Sequence, residues 1–230
     1  MQPVHLIGIG PGDPEMITVK GARLLSEADI VYIPESAAAG EDEVLRIISP
    51  YTDAAKITPS AFPMIGDRMA DTEGHFAMLA ADIAAHCMDG RKVAYVTHGD
   101  AMLYSTAILL AHKLRQKGIP YSFVAGIPSF TACANVAEIP LGEIDESFLV
   151  ARPPRSAEQI HALAQEYPTL VFMRLTDRIS PLVEYVRRYN PAAAVLIHKV
   201  QLDAEKVIDL KLDAAIDDSM GHLSVAIIKA

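Results

Sequence analysis

Val4-His5-Leu6-Ile7-Gly8-Ile9-Gly10-Pro11-Gly12-Asp13-Pro14-Glu15 decides the fold. Val4–Ile9 reads as a buried strand, and its end is punctuated by three glycines in a G-x-G-x-G pattern. Two later stretches repeat the arrangement. Val93–Thr97 runs into His98-Gly99-Asp100-Ala101-Met102-Leu103-Tyr104-Ser105-Thr106, and Tyr121–Val124 runs into Ala125-Gly126-Ile127-Pro128-Ser129. In an open α/β sheet, ligands bind at the carboxyl ends of the strands. Glycine there allows close backbone approach and positive φ. Three such loops point to one cleft assembled from three places, the arrangement of an enzyme.

Outward from these loops, strands alternate with helical patterns. A helix is expected over Thr18–Ala28, a strand over Asp29–Pro34, and helices over Glu43–Ile48, Asp67–Asp89 and Ala101–Lys117. This alternation implies βαβ units and a parallel sheet. The second half gives strands at Phe148–Ala151, Thr169–Met173, Ala193–His198 and Leu223–Lys229, with helices at Ser156–Gln165 and Ser180–Arg188. Its strands lie closer together and it ends on one, so a mixed sheet is expected. The fold class is therefore α/β: an N-terminal lobe over residues 1–119 with a mostly parallel sheet, a C-terminal lobe over 120–230 with a mixed sheet, and a cleft between.

Composition narrows the function classes. The chain has 230 residues, 51% hydrophobic, long enough for one large domain or two small ones. A formal charge of −9 argues against nucleic acid, whose binding rests on Lys and Arg neutralising phosphates. It leaves room for a small anionic ligand held by a local basic patch. No apolar run approaches the roughly 20 residues of a membrane span. The start of the chain has no basic, apolar leader pattern, so a soluble cytoplasmic protein is expected. Cys87 and Cys133 suit neither a disulfide framework nor a zinc site and read as buried helical thiols.

The first glycine loop admits several readings. A dinucleotide fingerprint needs G-x-G-x-x-G and a later acid, a place Glu35 could fill, but Pro11 interrupts the turn and Asp13 and Glu15 would oppose a pyrophosphate. A P-loop is excluded, because no Gly-Lys-Ser/Thr follows. A Rossmann-like methyltransferase, or a tight turn without a ligand, fits this loop taken alone.

Taken together, Gly8–Thr18, the following Lys20, Leu24, Leu25, Ala28 and Asp29, the Gly99-Asp100 loop, Gly126–Ser129 and Ile139-Pro140-Leu141 resemble the tetrapyrrole (corrin and porphyrin) methyltransferase family in order and spacing. Phe62-Pro63-Met64, Met102–Thr106 and Asp145-Glu146-Ser147 are similar to its C-20 branch, which acts on precorrin-2 or the cobalt form. The resemblance implies methylation at C-20 in cobalamin biosynthesis, S-adenosylmethionine as methyl donor, no protein-bound metal, a tetrapyrrole substrate and a homodimer. It places the donor against Pro11, Gly99, Asp100, Leu103, Pro128, Ser129 and Met173. Gly10, Gly12 and Asp13 fall on the tetrapyrrole side. Family members that act on ribosomal RNA or diphthamide precursors fit the charge and the Met102–Thr106 run poorly.

Methyl transfer from a sulfonium is an in-line displacement that needs alignment in a dry cleft. The methylated carbon then loses a proton, so a base is useful. Asp100 and Tyr104 are the catalytic candidates, with His98, Asp13 and Glu35 behind them; an Asp after a strand-end glycine also serves to hold its loop. Tyr104 is expected one turn into a helix. A polycarboxylate substrate needs cations, supplied by Lys20, Arg23, Arg152, Arg155, Arg174 and Lys199, with Arg152 and Arg155 foremost. Asp217 and Asp218 read as solvated turn residues. Three positions depart from the family pattern: Ala101 and Ala125 stand where proline is usual, and Lys199 where some relatives have glycine. They keep open another corrin position, or a binding protein that has lost catalysis.

Overall fold

A computed structural model describes residues 2–34, 43–60, 69–212, 216 and 218–230, which form two compact units, Met1–Pro128 and Ser129–Ala230. In the first unit, β1 (Val4–Gly8), β2 (Ile30–Pro34), β3 (Ile57–Ser60), β4 (Val93–Thr97) and β5 (Tyr121–Val124) form a sheet ordered β3-β2-β4-β1-β5. Every pairing is parallel. Helices α1 (Val19–Glu27), α2 (Glu43–Ile48), α3 (Met69–Met88) and α4 (Ala107–Gln116) cover it.

Successive strand side chains point to opposite faces, so each central strand feeds two cores. Leu6 and Tyr95 pack with Phe76, Leu79 and Leu110 of α3 and α4. Their neighbours Ile7 and Val96 pack with Leu24, Leu25 and Ile47 of α1 and α2. Burial on both faces explains why β4 is apolar almost throughout, as parallel strands are.

Several boundaries differ from the sequence expectation. The first unit extends to Pro128 rather than ending at 119, because β5 hydrogen-bonds to β1 and completes the first sheet. α4 begins at Ala107 instead of Ala101, leaving residues 101–106 as loop. β3 and a later strand (Lys206–Asp209) carry too little apolar alternation to be read in advance. Phe62–Met64, Glu35, Asp67 and Asp217 lie outside the described residues.

The second unit opens with α5 (Ser129–Val136), followed by β6 (Phe148–Ala151), α6 (Ala157–Ala164), β7 (Thr169–Met173), α7 (Ile179–Tyr189), β8 (Ala193–His198), β9 (Lys206–Asp209) and β10 (Ser224–Lys229). Its sheet is ordered β6-β7-β10-β8-β9. β6 and β7 are parallel, and β10 runs antiparallel between β7 and β8, giving the expected mixed sheet. Ile160, Leu182 and Val186 of α6 and α7 close its core over Phe172, Leu196 and Ala226. Asp218 is not merely solvated. Its carboxylate accepts from Ile179 N at 2.8 Å and from Ser180 Oγ at 3.3 Å, satisfying the start of α7 from a distant loop.

Candidate active site

The order β4-β1-β5 sets three parallel strands side by side, with Ile7 in register with both Val96 and Val124. Their carboxyl ends finish level, and the three glycine loops begin together. The backbones then meet with no room for side chains. A Cβ on Gly8 would stand 2.6 Å from Gly99 O and 2.8 Å from Gly126 N; one on Gly126 would stand 2.2 Å from Gly99 O and 2.7 Å from Gly8 O. The first and second loops are bridged directly, Gly10 N donating to Gly99 O at 3.2 Å and Gly99 N to Gly10 O at 2.8 Å. Gly10 and Gly99 hold this crossing at φ of +84° and +70°, values glycine adopts without a Cβ penalty.

Asp100 ties the second loop to the third. One carboxylate oxygen accepts from Met102 N at 2.8 Å, the other from Gly126 N at 3.0 Å. With both oxygens engaged by backbone donors, its geometry is that of a loop holder. Asp13 plays a comparable local part, accepting from Glu15 N at 2.8 Å to cap the turn Pro14–Met16. Pro11 and Gly12 are buried in the first loop.

Tyr104 lies ahead of α4 in the loop, 41% exposed and at φ +51°, not one turn into the helix. The helix starts late because Ser105 accepts from Ala107 N and donates to Thr97 Oγ1, while Thr106 Oγ1 bonds Tyr95 OH. Such hydroxyl bonds compete with helical backbone pairing. Met102, Tyr104 and Ile127 are exposed, and Leu103 and Pro128 half-buried, so apolar side chains border a backbone rich in polar groups. Ala101 is fully buried and part of the core.

Support residues escaped the sequence reading. Arg46 of α2 donates from Nη2 to Gly12 O at 3.2 Å, and Tyr51 OH donates to Pro14 O at 3.0 Å, pinning the first loop from below. Thr18 caps α1 by accepting from Gly21 N and donates to Ala125 O at 3.3 Å. Only Thr18 had a sequence signal, a threonine opening a helical pattern.

The remaining expected site residues belong to the second unit. Ser129 opens α5 and Met173 ends β7, both half-buried. Arg152 and Arg155 follow β6, Arg174 follows β7 at φ +59°, and Lys199 follows β8 at φ +51°. The parallel course of β6, β7 and β8 thus gathers four cations at one edge of this sheet. Lys199 thus holds a left-handed backbone, a region that favours glycine. Arg23 is engaged elsewhere, with Glu27 at 2.9 Å on α1, and Lys20 is exposed on the same helix. Cys87 and Cys133 are buried, and burial pushes the Cys133 thiol up to about 12. Among the described residues no three His, Cys, Asp or Glu side chains group as a metal site would require, and no helix is long and apolar enough to cross a membrane.

Fold and loops together define an open-sheet α/β protein whose three glycine loops meet at the carboxyl edge of its parallel strands. The chain belongs to the tetrapyrrole (corrin/porphyrin) methylases, a family description that matches residues 3–216. It is 32% identical to a cobalt-precorrin-2 C(20)-methyltransferase from Salmonella typhimurium over 77% of this chain and 74% of that protein. It is 29% identical to a probable cobalt-precorrin-2 C(20)-methyltransferase from Methanocaldococcus jannaschii over 98% of this chain and 95% of that one. Its fold is similar to the uroporphyrin-III C-methyltransferase from Thermus thermophilus, solved with S-adenosylhomocysteine, at a TM-score of 0.67 and 21% identity over 99% of this chain and 97% of that one.

Proposed function

We propose that this protein methylates C-20 of precorrin-2 or its cobalt form in cobalamin biosynthesis, with S-adenosylmethionine as donor, acting as a cytoplasmic homodimer. The observation that carries the reading is the meeting of Gly8, Gly99 and Gly126, which draws the three motif-bearing loops into one rigid rim. Likeness to two C-20 enzymes over most of the chain supports the position on the ring.

The donor supplies an activated methyl, so the protein's task is alignment and exclusion of water. The bridged Gly10–Gly99 backbone and the Asp100 clamp fix the loops in advance, which limits reorganisation on binding. In this reading the apolar edge of Met102, Leu103 and Ile127 packs against the ligands, and Gly99, Asp100, Pro11 and Pro128, with the adjoining Ser129, hold the donor. Gly10, Gly12 and Asp13 border the tetrapyrrole, and Arg152 and Arg155 bind its carboxylates. Asp100 acts through the loops it holds, and Tyr104, exposed and held at positive φ, is the candidate to relay the proton lost from the methylated carbon, its phenol oxygen taking that proton as the phenol proton passes to solvent water.

Calorimetric titration with S-adenosylhomocysteine tests the donor: one micromolar-range site per chain is expected, and absence of binding at millimolar ligand would refute it. Incubation with precorrin-2 and with cobalt-factor II then tests the position. A methyl appearing at another ring carbon would favour the relatives' other specificities and overturn the C-20 assignment.

A further inference from the structure

The second unit holds a carboxylate of its own among its arginines. Asp177 Oδ1 lies 3.1 Å from Arg152 Nη2 and 3.9 Å from Arg178 Nε. Arg178 is 8% exposed, and its Nη1 donates to Pro153 O at 2.8 Å, fixing the Pro153-Pro154 turn that separates Arg152 from Arg155. Its Nε has no hydrogen-bond partner among the described residues. The sequence reading passed over Arg178, which stands just before α7 and resembles an ordinary first-turn cation.

Three guanidiniums are thus arranged around one short turn with a single carboxylate between two of them. Burial, and then the positive charges of Arg155 and Arg152, weaken the hold of Arg178 on its proton relative to a free arginine. A buried donor lacking an acceptor costs free energy that an incoming oxyanion would recover. Asp177 itself is held at φ +60° and is well exposed, so it can turn away without unpacking the core.

Building on the carboxylate-binding role given to Arg152 and Arg155 above, we propose that Asp177 is an internal competitor occupying the place of a substrate carboxylate, and that Arg178 is a positioning residue that sets the spacing of Arg152 and Arg155. The pair makes binding selective for ligands with enough carboxylates to displace Asp177.

The test is fluorescence titration of the full chain with uroporphyrin, an octacarboxylate, and coproporphyrin, a tetracarboxylate, at low and high salt. Asp177→Asn keeps a residue that tolerates the left-handed region. It should tighten binding about two- to five-fold, the range of an exposed ion pair, and more for coproporphyrin than for uroporphyrin. Arg178→Lys should weaken uroporphyrin about tenfold through loss of the guanidinium fork, leaving S-adenosylhomocysteine affinity unchanged as evidence of an intact fold. Unchanged or weaker binding by Asp177→Asn, or no uroporphyrin binding by the wild type, overturns the proposal. If the nucleoside fails to bind while the porphyrin series behaves as expected, the donor assignment falls and this site stands.

Discussion

Replacing Gly126 by alanine tests the claim that the three loops are one rigid unit. The added Cβ would stand 2.2 Å from Gly99 O and 2.7 Å from both Gly8 C and Gly8 O, where ordinary contact begins at 3.4 Å. More than an ångström must open, and every obstructing atom is backbone. Overpacking of this kind costs about 1–3 kcal/mol. Separation of the loops also loosens the Gly10–Gly99 bond at 3.2 Å and the Asp100–Gly126 bond at 3.0 Å, at about 0.5–1.5 kcal/mol each. The expected loss is therefore about 2–6 kcal/mol. Two controls separate clash from conformation. Gly118, at φ +69° with nothing within 4 Å, should lose only about 1–2 kcal/mol as alanine. Gly74, in α3 with nothing within 4 Å, should gain about 0.5–1 kcal/mol. Urea unfolding followed by far-ultraviolet circular dichroism gives the stabilities, and calorimetry gives S-adenosylhomocysteine affinity. Gly126→Ala should lose both. A Gly126 variant no less stable than the Gly118 variant would mean the loops separate freely, and the rim would not be rigid.

Two further outcomes follow from the same geometry. Asp100→Ala strips two backbone donors, Met102 N and Gly126 N, of their acceptor, so it should cost about 1–3 kcal/mol and weaken the nucleoside. Asp100→Asn, which keeps one acceptor oxygen, should fall between; equal stability of all three proteins would refute the clamp. Burial, assisted by Lys199 and Lys206, holds His198 below its usual 6.5. The unfolded chain therefore takes up that proton first, so this contribution to stability is complete above 6.5 and declines as pH falls from there toward the lower folded value. Urea midpoints measured as pH is lowered from neutrality should fall less steeply in His198→Gln than in the wild type, with His5, lowered chiefly by its own burial, retaining part of the slope. Identical slopes would remove His198 from the account.

The parallel sheet was legible because its strands are buried on both faces and announce themselves as apolar runs. The division of the chain was harder to read. Tyr121–Val124 was recognisable as a strand, but which sheet it joins depends on pairing with β1, more than a hundred residues earlier in sequence, and local pattern carries no record of that partner. β9 is an edge strand with Lys206, Val207 and Asp209 exposed, so it lacks the alternation that marks a half-buried strand. The start of α4 was misplaced for a different reason. Ala101–Thr106 has acceptable helix formers, and only the tertiary bonds of Ser105 and Thr106 to Thr97 and Tyr95 hold it as loop.

The site divides along the same line. Glycine loops could be found because a backbone crossing leaves glycine little competition, and Gly8, Gly99 and Gly126 are required by contacts that no side chain survives. The residues that hold those loops are ordinary in type. Arg46 is set apart from an ordinary helix-surface arginine by ending beside Gly12 O, and Arg178 by turning inward to Pro153 O. A residue whose own backbone is constrained writes that constraint into its identity. One that acts through a distant partner needs only the right head group at the right reach, which many sequence positions supply. Glycines in this fold were accordingly visible before the structure, and the arginines that position its loops were not.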